Sequence, residues 1–217
     1  MSDDNFRRSI EQGDVAGVRR ALAHDPALAN RTIRWHLNQD NESDPLHYVS
    51  DCVSQGWLTN GAEGELAELL LAHGAAIEGS EGRESPLIAA ASLGAEKVAT
   101  VLLAAGADIE ATAVYRASAL HWAAWVGASR TVEQLVARGA KLEEKDSEFG
   151  ATPLFWAAHG YGPNGPEKKD QVGAARILLA AGATARTSNK EGCSALEMAD
   201  TCAKRDMYEL LKQYVQQ

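Results

Sequence analysis

The sequence predicts an all-α fold: a solenoid of six helix-turn-helix repeats, the first and last acting as caps, with hairpin-like finger loops between them. Three observations predict it. Short phrases recur at a fixed spacing, so that Leu87, Leu120 and Leu154 of Ser-Pro-Leu-Ile, Ser-Ala-Leu-His and Thr-Pro-Leu-Phe stand 33 and 34 residues apart. Each phrase is followed by Ala-Ala and then by a second segment with a near-identical close: Val-Leu-Leu-Ala-Ala-Gly-Ala-Asp (101–108), Gln-Leu-Val-Ala-Arg-Gly-Ala-Lys (134–141) and Ile-Leu-Leu-Ala-Ala-Gly-Ala-Thr (177–184). Composition agrees, because 39 alanines and only 6% aromatic residues suit closely packed helices better than a β-sandwich.

Taken in order, the repeats fall at about 4–43, 44–84, 85–117, 118–151, 152–193 and 194–217, one domain over residues 1–217. Residues 4–28 (Phe6, Ile10, Gly13-Asp14, Val18, Ala21-Leu22) follow the helix pair with a more polar outer side, as a first cap should. The long linker after it contains Thr32-Ile-Arg-Trp-His-Leu37, whose alternation of apolar Ile33, Trp35 and Leu37 with polar residues has the period of a half-buried strand. Either an enlarged finger hairpin forms there, or Trp35 packs on the capping repeat. The second copy runs from Asp-Pro-Leu-His (44–47), with Val49-Ser50 in place of Ala-Ala, to Leu-Leu-Leu-Ala-His-Gly-Ala-Ala (69–76). The sixth runs from Ser-Ala-Leu-Glu (194–197) to Tyr-Glu-Leu-Leu-Lys (208–212), with Lys204, Arg205, Lys212 and Gln213 facing solvent.

Each recurring residue has a physical reason. Ser or Thr before Pro caps the first helix, and Pro sits at its first turn, where no N–H is needed. The pairs Ala90-Ala91, Ala123-Ala124 and Ala157-Ala158 let neighbouring helices approach. Gly74, Gly106, Gly139 and Gly182 end the second helices in the left-handed conformation. One repeat cannot bury its apolar face alone, so stability comes from stacking.

These residues resemble the ankyrin repeat family, whose phrase reads T-P-L-H-x-A-A, then G, then a helix closing in L-L-x-x-G-A-D; the stand-alone form is similar to bacterial ankyrin proteins. The resemblance covers essentially the whole chain. Ile88, Phe155 and Glu197 depart from the motif histidine, which His47 and His121 keep. The family implies that this histidine ties adjacent loops by hydrogen bonds, that the first helices line a concave groove, and that the chain binds another protein. The groove positions it implies are Asp51, Ser92, Trp125, His159 and Thr201. Trp122 and Trp156 stand one turn earlier, where a leucine-sized core residue is usual, and read either as core fillers or as part of an aromatic site with Trp125 and His159. Tyr115, Arg116 and Phe149 fall at finger tips. Two inserts of about nine residues, Ser54–Gly64 with Trp57 and Gly160–Asp170 with Tyr161, are Gly- and Asn-rich surface loops, either neutral insertions or borders of a binding site. Cys52 and Cys202 read as small packing residues, and His24 and His73 as surface histidines near helix ends.

Charge narrows the partner. The net charge is −9; residues 1–110 hold 8 Lys+Arg against 18 Asp+Glu, whereas residues 111–217 hold 13 against 12. Trp35 to Gly82 contains nine carboxylates and no Lys or Arg. Such a surface repels phosphate backbones, which argues against nucleic acid; it suits a basic stretch on a protein partner, or serves solubility alone. No apolar run reaches the roughly 18–20 residues that cross a bilayer, no secretory signal is evident at the N-terminus, and three cysteines form neither a CxxC pair nor a disulfide framework. The expectation is a cytoplasmic monomer without metal or cofactor. No HExxH, GxSxG, P-loop or dinucleotide glycine pattern appears. Asp51 and His159 lie three repeats apart, on the order of 30 Å at the usual helix spacing, so they cannot share a proton. The chain is therefore expected to be a binding module and not an enzyme. The alternative is a small-molecule or peptide site, even a catalytic one, at Trp122, Trp125, Trp156 and His159.

Overall fold

The structure is a computed structural model that describes residues 3–35, 41–161, 170–201 and 204–215. Among the described residues are twelve α-helices and one two-stranded antiparallel sheet. The chain divides into two compact units, Met1–Asp108 and Ile109–Gln217.

In the first unit consecutive helices pack as pairs: α1 (Asp3–Glu11) with α2 (Val15–His24), α3 (Pro45–Ser54) with α4 (Glu63–Ala72), and α5 (Pro86–Ser92) with α6 (Glu96–Ala104). The first helices of the pairs also pack on one another, α1 on α3 and α3 on α5, and so do the second helices, α2 on α4 and α4 on α6. The second unit repeats this arrangement. Its pairs are α7 (Ala119–Val126) with α8 (Ser129–Ala137), α9 (Pro153–Gly160) with α10 (Gln171–Ala180), and α11 (Ala195–Thr201) with α12 (Arg205–Val215); α7, α9 and α11 make one layer and α8, α10 and α12 the other.

The local chemistry follows the repeated phrases. Ser85 Oγ accepts the Ile88 N–H at 3.3 Å and Thr152 Oγ1 accepts that of Phe155 at 3.4 Å, with Pro86 and Pro153 in the first turn. Asp44 departs from this. It leaves α3 without a side-chain cap and turns to Ser80, whose N–H and hydroxyl it accepts at 2.6 and 2.9 Å. The alanines of all three pairs are fully buried, which is what lets neighbouring helices come close. Gly74, Gly106, Gly139 and Gly182 have φ of 84°, 91°, 85° and 105°, as helix-ending residues in the left-handed region do.

The motif histidines behave differently from one another. His121 is fully buried; its Nε2–H faces the carbonyls of Glu144 (3.1 Å) and Ala151 (3.3 Å), and its Nδ1 accepts from the N–H and hydroxyl of Ser118. That is the loop tie expected of it. His47 instead lies 3.7 Å from the Asp51 carboxylate one turn on. Where Glu197 replaces histidine, its carboxylate accepts from Ser194 N–H and Oγ–H at 2.8 and 2.7 Å while Ser194 Oγ accepts the Glu197 N–H, a reciprocal capping box.

The linker after the first helix pair forms a hairpin and also buries its tryptophan. Strand β1 (Ile33–Trp35) pairs antiparallel with β2 (Asn41–Ser43), Ile33 opposite Ser43. Ile33 and Trp35 are buried, while Arg34 is exposed and paired with Glu42 at 2.8 Å; Leu37 lies outside the described residues. The insert with Trp57 is tied down, for Asn60 donates to the carbonyls of Gln12 and Gly13 and accepts the Ala62 N–H. In the other insert, residues 162–169 lie outside the described residues, as does Cys202. Cys52 is buried, which pushes its thiol pKa up.

Candidate functional site

The second unit concentrates aromatic residues on two adjacent helices. Trp122 and Trp125 are three residues apart on α7, Trp156 and His159 three apart on α9, so each pair shares one helix face. Close approach of the two helix ends holds the faces together. A Cβ at Gly160 would collide with the Trp125 carbonyl, and one at Gly127 would meet the Asp170–Gln171 backbone at 2.5–2.7 Å. Gln171 Nε2 donates to the same Trp125 carbonyl at 3.3 Å.

Trp156 is the centre of the cluster and is only 6% exposed. Its ring meets those of His121, Trp122 and Trp125 edge-to-face, with centroids 5.5, 5.0 and 6.1 Å away, the geometry that aromatic quadrupoles favour. Its indole N–H donates to Asp146 Oδ2 at 3.0 Å. Asp146 is itself buried and also accepts the backbone N–H groups of Glu148, Phe149 and Ala151 at 2.8, 2.6 and 3.0 Å. Burial works to raise its pKa, yet the bonds from Trp156 and the three amides hold it below the usual carboxylate range. One carboxylate thus fixes both the Trp156 ring and the loop carrying Phe149.

Outside this floor the rings reach solvent. Trp125 is half-buried and its ring lies 5.0 Å from that of His159, which is exposed and stacks on Phe155 at 6.3 Å. Trp122 is half-buried, and its enclosed indole N–H makes no hydrogen bond among the described residues. Partial desolvation against the neighbouring rings, and then the ammonium of Lys204, lower the His159 pKa; Lys204 Nζ donates to the carbonyls of Ala158 and His159 at 2.6 and 2.8 Å. The imidazole is therefore a neutral ring near pH 7.

The third wall is a finger. Tyr115 and Arg116 have left-handed φ of 64° and 52°, sparsely populated for residues with a side chain, and the Ser147 N–H clamps the Tyr115 carbonyl at 2.6 Å. The Tyr115 ring meets Phe149 with centroids 6.0 Å apart, and the two are 44% and 50% exposed. Between finger, floor and α11 lies a cleft of about 420 Å³, closed on the far side by Asn189, Glu191 and Met198. Its volume suits a side chain or small ligand. Its chemistry is aromatic faces with one carboxylate, and neither lysine nor arginine lines it.

The structure therefore brings Tyr115, Trp122, Trp125, Phe149, Trp156 and His159 to one cleft, with Arg116 adjacent on the finger. Tyr161 does not line it and instead donates to Asp206 at 3.3 Å. Trp35, Asp51 and Trp57 form a separate cluster in the first unit. Trp35 Nε1 donates to Ser43 Oγ, which donates to Asp51 Oδ2, at 2.9 and 2.6 Å, and Trp57 packs edge-on to Trp35. Burial raises the Asp51 pKa against the pull of Ser43 and His47, so Asp51 is a buried structural acceptor with 8% exposure. A larger cavity of about 550 Å³ in this unit is lined by Arg7, Arg31 and Arg34 among others, with each arginine facing a carboxylate. Sequence reasoning missed Asp146, Glu191 and Met198. The signal for Asp146 was its place six residues before the Thr152 that opens the next phrase, where a short side-chain acceptor closes a turn on its own amides.

The comparisons with known proteins agree with this architecture. A family model, Ankyrin repeat, matches residues 115–147, which span α7, α8 and the finger before them. The chain carries an ankyrin repeat. It is also similar to the palmitoyltransferase Hip14 of Drosophila melanogaster, 29% identical over 112 residues, 52% of this chain and 16% of that protein. The chain thus spans far less than two thirds of that relative. An ankyrin repeat implies a protein–protein interaction module, and the family is generally non-catalytic. Among the described residues, no helix is long and apolar enough to cross a membrane.

Proposed function

We propose that this chain is a protein-binding module of six ankyrin repeats, at about 4–43, 44–84, 85–117, 118–151, 152–193 and 194–217, making one domain. Its principal contact surface is the aromatic cleft of residues 109–217, with Trp125 and His159 as the anchors, Tyr115, Arg116 and Phe149 as the finger, and Trp122 and Trp156 as the floor. One observation carries this reading: the rings of Tyr115 and Phe149 and the His159 imidazole stand open to solvent beside a buried, hydrogen-bonded tryptophan floor. An exposed aromatic surface on a rigid base is where binding energy concentrates. Trp57 in the first unit and Tyr161 on the insert are secondary members of the partner surface, whereas Trp35 and Asp51 are buried and stand outside it. The acidic first half favours a partner with a basic stretch. The chain acts as a cytoplasmic monomer and uses no cofactor.

The cleft's volume also supports a small-molecule or peptide ligand as the alternative occupant. A catalytic version finds less support, because the ring contacts of His159 are Trp125 and Phe155 and its charged neighbour is a lysine, not an orienting carboxylate. The test is affinity capture of partners from the native host with wild-type chain and with the double variant Trp125→Ala/His159→Ala. The expected result is loss of a specific protein while circular dichroism and unfolding midpoint stay near wild type. Retention of every captured protein by the double variant overturns the site.

A further inference from the structure

We infer that the aromatic cleft receives a single arginine side chain from an extended segment of the partner, with Glu191 as its counter-charge. This rests on the binding reading above and names the chemistry of the occupant. Ring faces attract a cation through their quadrupole. The rings of Tyr115, Trp122 and Trp125 line the cleft, and it has one carboxylate, Glu191, which is exposed and in no ion pair among the described residues. The neighbouring ammonium groups are held on backbone carbonyls: Lys190 donates to Ser147 at 2.6 Å, Lys145 to Ser188 at 2.8 Å, and Lys204 to Ala158 and His159. The His159 imidazole, its pKa lowered by partial desolvation and by Lys204, adds a ring and not a competing charge.

Guanidinium fits this combination better than the other candidates. It is flat and weakly hydrated, so it can lie on a ring while its N–H fork pairs with a carboxylate, whereas a primary ammonium must shed tightly held water and an apolar side chain would leave Glu191 desolvated without a partner. The Tyr115 carbonyl, clamped by Ser147 N–H, holds the finger ring in place before the ligand arrives.

The experiment titrates the ¹⁵N-labelled full chain with blocked Gly-Ser-Xaa-Ser-Gly peptides in which Xaa is arginine, its neutral isostere citrulline, or trimethyllysine. The arginine peptide should shift the indole signal of Trp125 and leave those of Trp35 and Trp57 in place, with a Kd at least about tenfold below that of the citrulline peptide. Glu191→Gln should raise the arginine Kd toward the citrulline value, the attraction of the rings remaining, and leave the citrulline Kd unchanged; an arginine Kd that the substitution does not move overturns the role of Glu191. Equal Kd for arginine and citrulline, tighter binding of trimethyllysine, shifts at Trp35 or Trp57 in place of Trp125, or no shift up to about 10 mM (a Kd that would supply under about 3 kcal/mol) each overturn the inference. The partner-capture result with the Trp125→Ala/His159→Ala variant is independent of all these outcomes, so failure of the arginine assignment is distinguishable from failure of the binding surface.

Discussion

Asp146→Asn is the sharpest test of how the cleft is built. The carboxylate accepts four hydrogen bonds, two at each oxygen: Glu148 and Phe149 N–H at Oδ1, Ala151 N–H and the Trp156 indole at Oδ2. Asparagine keeps one oxygen and turns its NH2 toward the other two donors, so two charge-assisted bonds are lost and two buried donors face each other. At about 1.5–3 kcal/mol for each bond to a charged group, with some relief from movement of the loop, the loss should be roughly 3–5 kcal/mol. That is a large fraction of the ~5–15 kcal/mol that keeps a domain of this size folded. Urea unfolding of wild type and variant at neutral pH measures it. The pH dependence supplies a second arm. The Asp146 pKa is depressed in the folded state from its ordinary 3.8, so its contribution is complete above that value and is lost as pH falls through the lower, folded pKa. The gap between wild type and variant should therefore narrow in strong acid. A loss below about 1 kcal/mol at pH 7, or a gap that does not change with acidification, would refute the claim that this carboxylate is the anchor of the floor.

His121→Phe removes the tie among Ser118, Glu144 and Ala151 and should cost about 2–4 kcal/mol in urea unfolding at pH 7. Because burial lowers the His121 pKa from 6.5, wild-type stability should be full above about 6.5 and fall as pH drops from there toward the folded pKa, a slope that the variant lacks. Gly160→Ala should lower the unfolding midpoint by the equivalent of about 1–3 kcal/mol, since its Cβ runs into the Trp125 carbonyl. Gly64→Ala, on α4 with no neighbour nearer than 3.6 Å, should instead gain up to about 1 kcal/mol.

The repeated phrases made the helices legible because each carries its own local chemistry. Ser85 and Thr152 cap, Pro86 and Pro153 start a turn, and the paired alanines are buried wherever they occur. These are effects of residues on their chain neighbours, and spacing reveals them. The grouping of Trp122, Trp125, Trp156 and His159 was legible for the same reason, as residues three apart on helices in equivalent positions. Whether each ring was floor or surface was not. That distinction depends on Asp146, which takes the Trp156 N–H from a loop ten residues earlier and looks in sequence like one more acidic residue in Glu-Glu-Lys-Asp-Ser-Glu. Asp51 went the other way. Its register pointed to a groove, but Ser43 on the hairpin captures it, and the hairpin is an addition that the repeat spacing does not describe. The same spacing treated His47 and His121 alike, although the first faces Asp51 and only the second ties loops together.

The cleft exists because one repeat position is overfilled and its neighbours compensate. A tryptophan where the stack ordinarily takes a leucine-sized side chain needs room and a partner for its N–H. Trp156 obtains the partner from Asp146, and its ring packs edge-on against His121, Trp122 and Trp125. Trp122 occupies the equivalent position one repeat earlier without such a partner, and its enclosed indole N–H makes no hydrogen bond among the described residues. A buried donor left unpaired costs stability, and folding alone gives no reason to keep it. It is explained if the ring serves the cleft: packed edge-on to Trp156 at 5.0 Å, Trp122 backs the surface on which Trp125 and His159 stand. The left-handed Tyr115 and Arg116 make the same exchange on the finger, where local strain holds an aromatic ring open to solvent. Two independent departures from the most stable choice converge on one cavity, and that convergence, more than the aromatic content by itself, supports the proposal that it is the contact surface.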